Sequence, residues 1–575
     1  MTRESFKSAT CVFSRKVSRD LKNSFEKDGN KSWFQTALRL PRRGAIPEDC
    51  QIQTTSGRVV RSIGGLPRVD RIATVAGFLL ATCLFLSATG CVVGPNVRPS
   101  HDPLMSDWHS HHDERFGPGN AADHHWWMNF EDPAMHRLIY QVADQNLSIQ
   151  EAAERIQEAR ARVGVTRSGL FPSVTHQASY NRIDISDNGN PAGISGVPFP
   201  PFDLWSTGFN VNWEVDLFGR VKRLTEAACA DLRATAEAKN ALQVSMLGDV
   251  AASYVSMRVI EARIEQANAN IAIQEETLAI TRRRFEAGAI SDLDVAQAEA
   301  QLYSTRASVP NLAREREIII NRLSILRGEQ PRGLLDIVEP SSSIPRVPAQ
   351  IDIGIPHDLV RRRPDVRAAE QKVIASGARI GVAQAELYPS VSLTGVFTMD
   401  TKNLSSLFES DSFGMRVGPA VRWNIFSFGR VLRGIDAAES VYRQAQLQYR
   451  QSVLSAVGEV EDAMVSYRRN QEIAEQLEQA VASAKRGVDN ATEQYASGAI
   501  PFQAVLDSQR QLTLITDELI SAQGNIVVSV VRLYKALGGG WNLQNSTPVV
   551  DQAMTQNPVI EAAPMPALES FDEID

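Results

Sequence analysis

From Phe209 to Leu217 the apolar residues Phe209, Val211, Trp213, Val215 and Leu217 alternate with Asn210, Asn212, Glu214 and Asp216. That is the period of a strand with one apolar and one wet face. After Phe218-Gly219-Arg220 the period turns helical, and no proline interrupts positions 220–285. At 1.5 Å per residue such a helix reaches roughly 100 Å, longer than an ordinary globular domain. The same transition recurs 210 positions later: Phe413, Met415, Val417, Val421, Trp423 and Ile425 alternate with polar or small residues, Phe428-Gly429-Arg430 follows, and 430–495 is free of proline. Glycine permits the backbone angles needed to turn a strand into a helix, so Gly219-Arg220 and Gly429-Arg430 are expected strand-to-helix pivots. Pro419 cannot donate to a strand ladder and should mark a bulge or an unpaired position.

Two further motif pairs make the duplication explicit. Ala161-Arg162-Val163-Gly164-Val165 ahead of Leu170-Phe171-Pro172-Ser173 recurs 217 positions on as Ala378-Arg379-Ile380-Gly381-Val382 ahead of Leu387-Tyr388-Pro389-Ser390, and each Pro-Ser opens a strand. Phe285-Glu286-Ala287-Gly288-Ala289-Ile290 recurs as Tyr495-Ala496-Ser497-Gly498-Ala499-Ile500. These glycines suit the C′ position of an ending helix, and Ser291 or Pro501 the start of the next. A first helix is expected from Ala134 toward Gly164, and return helices over 291–327, bent at Pro310, and 501–537. The stripe Val453, Val457, Val460, Met464, Tyr467 with frequent alanine reads as close side-by-side packing of coiled coils.

A strand with aromatic residues on one face and Asn, Asn, Glu and Asp on the other calls for a solvent that is apolar outside and water inside, the pattern of a transmembrane β-barrel. The fold class expected is therefore α+β: barrel strands continuous with long coiled-coil helices, internally duplicated. The boundaries are 1–90, extension and signal; 91–133, linker; 134–330, first repeat with β-hairpin 173–217; 331–356, connection; 357–541, second repeat with β-hairpin 390–426; and 542–575, an acidic, proline-containing tail expected to be disordered. The intervening loops 184–204 and 400–412 are long and exposed, as barrels place outside the cell.

Charge and cysteines sharpen the compartment. The first 71 residues carry 15 Lys and Arg against 7 Asp and Glu, a net of +8, so with −7 for the whole chain the remainder carries −15. Such acidity gives no support for nucleic-acid binding. The apolar run Leu79–Ala88 is too short to span a bilayer and ends in Ala88-Thr89-Gly90-Cys91, the form of a secretory signal with a lipobox, although Ala88 stands where leucine is usual. Cys91 is the expected lipidation site; an uncleaved signal with an incidental cysteine is the alternative. Cleavage there leaves only Cys91 and Cys229, so no disulfide framework is possible. The long basic segment before Val69 fits an upstream mis-assigned start, with a disordered basic extension as the competing reading. Seven of nine histidines fall between His101 and His136. Their spacing matches no closed metal site, and a solvated polar linker is the expectation, with no metal and no cofactor. Arg361-Arg362-Arg363 ahead of Pro364 reads as a solvated or salt-bridged helix start. No His-Glu-x-x-His, nucleophile elbow or phosphate loop is present, so an enzyme is not expected.

The lipobox with Gly94-Pro95, both Phe-Gly-Arg copies, Arg362-Arg363-Pro364-Asp365, Leu387-Tyr388-Pro389-Ser390 and Leu533-Tyr534-Lys535-Ala536-Leu537-Gly538-Gly539-Gly540-Trp541 together resemble the outer membrane efflux protein family, TolC-like outer membrane factors, and within it the NodT-type lipoproteins. The resemblance covers about Cys91 to Trp541. It implies a homotrimer in which four strands per chain make one twelve-stranded barrel continuous with an α-helical periplasmic tunnel. It implies a passive channel in the outer membrane of a Gram-negative bacterium, serving an inner-membrane transporter through a periplasmic adaptor protein. It places adaptor docking at the tip turns Gly288, Ala289, Ile290 and Gly498, Ala499, Ile500. At Asp507 the family places a lumen-facing acid, and Asp294 and Asp292 are further candidates for a periplasmic gate, although helix-start acids are favoured by the dipole anyway. Ala504 stands where the family often has another acid. The alternative class is a non-conducting structural envelope lipoprotein built on the same long helices.

Overall fold

The computed structural model describes residues 92–97, 105, 107–109, 113–117, 119, 125–184, 200–331, 333 and 343–541. Cys91, the extension and signal over 1–90, most of the histidine-rich segment, loop residues 185–199 and the tail 542–575 lie outside the described residues.

The architecture is two copies of one unit. In the first, α1 (Pro133–Gln145) and α2 (Leu147–Ser168) lead to β2 (Ser173–Ile183), β3 (Phe202–Val215), α3 (Arg220–Glu286) and α4 (Asp292–Leu326). In the second, α5 (Pro356–Arg362) and α6 (Pro364–Ala385) lead to β5 (Ser390–Thr401), β6 (Phe413–Arg422), α7 (Arg430–Ala496) and α8 (Phe502–Ala536). Both long helices have 67 residues and both return helices have 35. A small parallel pair, β1 (Phe116–Gly117) with β4 (Ile351–Asp352), ties the amino-terminal segment to the connection between repeats.

The four long strands form one antiparallel sheet in the order β2-β3-β5-β6. The repeats meet in its middle, where Trp213 pairs with Leu393 and Asn210 with Val396. The duplication extends to hydrogen bonds: Trp213 donates Nε1–H to the Leu170 carbonyl, and Trp423 donates Nε1–H to the Leu387 carbonyl, both at 3.0 Å. The register of β5 with β6 is continuous through Leu393↔Pro419. The expected bulge is thus absent from that ladder, Pro419 keeping its place opposite Leu393; without an N–H it leaves one donor position of the strand empty. Trp423 and Ile425, expected in the strand, lie beyond its end, since β5 begins only at Ser390 opposite Arg422 and offers them no partner.

The first helix is not continuous. Asn146 takes ψ 121° between α1 and α2, accepts the Ile149 amide at 3.1 Å and donates to the Leu326 carbonyl at 2.6 Å. A side chain that caps one helix while closing the end of another outweighs helical periodicity. In contrast α4 continues through Pro310.

The main core lies at mid-length of the long helices, where Leu247, Tyr254 and Met257 of α3, Val460 and Tyr467 of α7, and Val530 and Leu533 of α8 are all buried. Trp108, Phe116, Trp126, Trp127 and Phe130 fill it. The expectation of a solvated linker over 101–136 is corrected here: the aromatic residues interleaved with the histidines are core, and His125 itself packs against Trp127 and Tyr140. Among the described residues no group of acids, histidines and cysteines could hold a metal ion. Of the two readings of the arginine run, Arg363 takes the salt-bridged one, and it is buried. It forks Asp365, reaches Glu459 of α7 at 2.7 Å and donates to the Ala536 carbonyl ending α8 at 2.9 Å. Although α8 is long and apolar enough to cross a membrane, its residues Val527, Val530, Val531 and Leu533 are spent in this core.

A buried ionic chain fixes the first long helix to its return helix. Arg258 donates to Glu261 at 2.7 Å, and Arg316 of α4 to the other Glu261 oxygen at 2.6 Å. Arg258 also donates to the Tyr254 hydroxyl, which donates to Asp132 at the start of α1. Burial, then the Asp132 charge, pushes the Tyr254 hydroxyl above its ordinary pKa, so it remains a donor at all physiological pH. Removing one partner of a buried ion pair strands the other charge. Glu261→Ala is therefore expected to destabilise the protein by about 3–5 kcal/mol, whereas the exposed Glu265→Ala stays within about 0.5 kcal/mol. The shift in denaturation midpoint of the helical circular dichroism signal measures both.

Candidate functional site: the strand-to-helix pivots and the helix tips

The chain changes direction at two kinds of place, and both are built around left-handed glycines. At the foot of the sheet Gly219 holds φ 76° and Gly429 φ 83°, each the residue before a 67-residue helix. Arg220 forks the Glu214 carboxylate at 2.9 and 2.8 Å, and Asp216 accepts the Lys222 amide at 2.8 Å, so β3 and α3 are locked across the turn. Arg430 instead reaches Glu386 at 3.3 Å, at the end of α6.

The two pivots differ in what covers them. The segment that follows Cys91 docks on the first: the Val93 amide donates to the Phe218 carbonyl at 3.2 Å. Buried Arg223 then binds the carbonyls of Val93 and Gly94 and the Asn96 side chain, at 2.9–3.0 Å. A Cβ on Gly219 would meet Val92 at 2.9 Å, and one on Gly381 would meet the Val93 carbonyl at 2.8 Å, so both must be glycine. At the second pivot a Cβ on Gly429 would meet nothing within 4 Å, and Arg433, the counterpart of Arg223, pairs with Asp436. The role of Arg223 was hidden in the sequence, because its ligands are backbone carbonyls about 130 residues away.

At the far end both turns are Schellman motifs. The Gly288 amide donates to the Phe285 carbonyl and the Ala289 amide to that of Arg284; Gly498 and Ala499 repeat this with Tyr495 and Gln494. Gly288, Ala289, Gly498 and Ala499 are exposed, and Ile290 and Ile500 half-buried. Just behind them a second, small core joins the hairpins: Leu278, Val295, Ala298 and Leu302 from one, Ala491, Tyr495, Phe502, Val505 and Leu506 from the other. Arg284 clasps it. Its guanidinium lies 4.6 Å over the Tyr495 ring and donates to the Tyr495 carbonyl at the end of α7, where the helix dipole favours a cation. The signal was the run Arg282-Arg283-Arg284 ahead of Gly288, which sequence reading passed over.

Between the two cores, the contact of α3 with α8 is polar. Arg263 forks Asp517 at 2.6 and 3.0 Å, Asn270 meets Thr513 at 3.3 Å, and Gln509 meets Thr277 at 3.1 Å. Asp292 is exposed and Asp294 half-buried in the first turn of α4. Asp507 accepts from Gln503 at 2.9 Å and stands 3.8 Å from Arg510. Among the described residues no hydrogen bond or ion pair brings Asp292 or Asp294 to Asp507.

A sheet with alternating faces, joined through glycine pivots to paired helices of about 100 Å, defines the class of outer membrane channels that continue as helical tunnels. The profile of the outer membrane efflux protein family matches residues 138–329 and 355–539, and the chain belongs to that family. It is 30% identical over 468 residues to nodulation protein T of Rhizobium leguminosarum bv. trifolii, covering 80% of this chain and 96% of that protein. It is 28% identical to the toluene efflux pump outer membrane protein TtgF of Pseudomonas putida, covering 82% and 99%. The solved outer-membrane channel OprN aligns with a TM-score of 0.72 at 30% identity, over 78% of this chain and all of that one. The chain is thus an outer membrane channel component of a tripartite efflux system that extends into the periplasm, and members of this family are not enzymes.

The clasp yields a prediction. A hydrogen bond from a charged donor contributes about 1.5–3 kcal/mol, so if the tip is the closed end of the channel, Arg284→Ala should favour its open state roughly ten- to a hundredfold. Tyr495→Phe, which keeps ring and carbonyl, should not. Open probability in planar bilayers separates the two variants.

Proposed function

We propose that three copies of this chain close one twelve-stranded barrel and conduct cargo passively from the periplasm to the exterior, in partnership with a periplasmic adaptor and an inner-membrane transporter. The observation that carries this reading is the open sheet. Among the described residues β2 and β6 have a partner on one side only, and four strands are too few to enclose a lumen, since even eight leave room only for side chains or a small ligand. The number three is what the family resemblance implies. Two aromatic levels support the placement: Tyr180 packs 4.4 Å from Trp205 near the loop ends, while Trp213 and Trp423 mark the foot. Trp205 and Trp213 are eight residues apart, about 27 Å along a strand, comparable with the apolar band of an outer-membrane barrel of ~25 Å.

Cys91 as a lipid anchor fits the same geometry, because the next residue, Val92, sits against Gly219 at the foot of the sheet. Several acyl chains there would anchor stably where one is marginal. The exposed turns Gly288-Ala289-Ile290 and Gly498-Ala499-Ile500 are the surface offered to the adaptor, and a Cβ on Gly288 would meet nothing within 4 Å. Around the symmetry axis Asp507 and Asp294, with Asp292 in reserve, would each become a ring of three carboxylates able to hold cations.

Single-channel recording tests the reading. The purified protein should conduct with a preference for cations, and the double variant Asp507→Ala/Asp294→Ala should lose both that preference and block by multivalent cations. Unchanged selectivity in the double variant would remove the gate from the account, and absence of conductance would favour the structural envelope lipoprotein.

A further inference from the structure

The internal duplication specifies the contact between copies, which the single chain leaves empty. Every β2 residue has a counterpart 217 positions on in β5, and β3 residues Asp203–Asn212 have theirs 210 positions on in β6, with Trp213 and Val215 answered by Trp423 and Ile425 just past its end. The offsets hold in the ladders: Ser173↔Asn212 becomes Ser390↔Arg422, and Val174↔Val211 becomes Val391↔Val421. Hydroxyl bonds follow suit, with Ser173 donating to the Asn212 carbonyl at 3.1 Å and Ser390 to that of Arg422 at 3.2 Å. The junction of β3 with β5 is therefore a template for the junction of β6 with the next β2.

Transferred through the same offsets, the template pairs Asn210↔Val396, Val211↔Gly395 and Trp213↔Leu393 become Ala420↔Ser179, Val421↔Ala178 and Trp423↔His176. We propose, building on the trimeric reading above, that β6 of one protomer pairs antiparallel with β2 of the partner subunit in this register, and that Phe428 stacks on Phe171 of the partner subunit. The stack is the counterpart of Phe218 on Tyr388, whose rings lie 4.7 Å apart and 19° from parallel.

Two independent features of the chain agree. The first is facing. In this register the outward residues Val417, Val421 and Ile425 meet Arg182, Ala178 and Val174, while Ala420 and Arg422 meet Ser179 and Gln177 on the wet face. A slip of one residue would turn the apolar face of one strand to the lumen beside the apolar face of the other in lipid. Second, the aromatic residues that the template needs are the ones left bare: Phe428 is 105% exposed and Phe171 68%.

Cysteine pairs in the full-length protein test the register. In a Cys229→Ser background, Ser179→Cys with Ala420→Cys is expected to crosslink under mild oxidation into covalent trimers. The same Ala420→Cys combined with Gln177→Cys or Asn181→Cys, two residues off on the same face, is expected not to, and single-cysteine chains control for Cys91. Phe428→Ala should lower the temperature at which trimers fall apart in detergent, and Phe428→Tyr should keep it. Stronger crosslinking of a shifted pair, or none in a protein that sediments as a trimer, would overturn the register while leaving the trimer intact. A protein that sediments as anything other than a trimer would overturn the trimeric reading itself.

Discussion

A β-sheet in hydrocarbon cannot keep a free edge, because each unpaired N–H or C=O there costs several kcal/mol with no water to take it up. Among the described residues one sheet has four long strands, too few for it to close on itself. On the trimeric reading proposed above, closure comes from other copies, and much of the rest follows from it. The alternation of faces along β2, β3, β5 and β6 puts one side in lipid and the other in water. The glycine pivots must then carry the chain out of the sheet at a fixed angle, so that the helices of all copies continue one wall. Arg220 on Glu214 and the leader clamped by Arg223 hold that angle at the first pivot.

Below the pivots the energetics are divided by height. The waist holds the tryptophan-rich core and the buried Arg258–Glu261–Arg316 chain. The tip holds a small core and one cation clasp, and between them α3 and α8 touch through Arg263–Asp517, Asn270–Thr513 and Gln509–Thr277. Polar contacts of this kind lose little on exposure to water, so parting the hairpins at the tip would cost less than parting them at the waist.

Much of this was legible in the sequence, because the determinants are periodic or local: alternation gave the strands, freedom from proline the 67-residue helices, and Gly288 and Gly498 their ends. What escaped was long-range or contextual. Asn146 breaks the first helix by bonding a carbonyl 180 residues away, Arg363 turns inward to the end of α8, and Trp126 and Trp127 were hidden by the histidines around them. Arg284 was overlooked since its partners, the Tyr495 ring and carbonyl, lie in the other repeat, and the arginine run 282–284 does not say which member turns inward.

Hydrogen–deuterium exchange in lipid nanodiscs examines the closed sheet most directly. If copies seal both edges, the amides of 173–183 and 413–422 are protected to the same degree as those of 202–215 and 390–401. Exchange in β2 and β6 that is faster by orders of magnitude than in β3 and β5 would mean that the edges stay open, and would contradict the account.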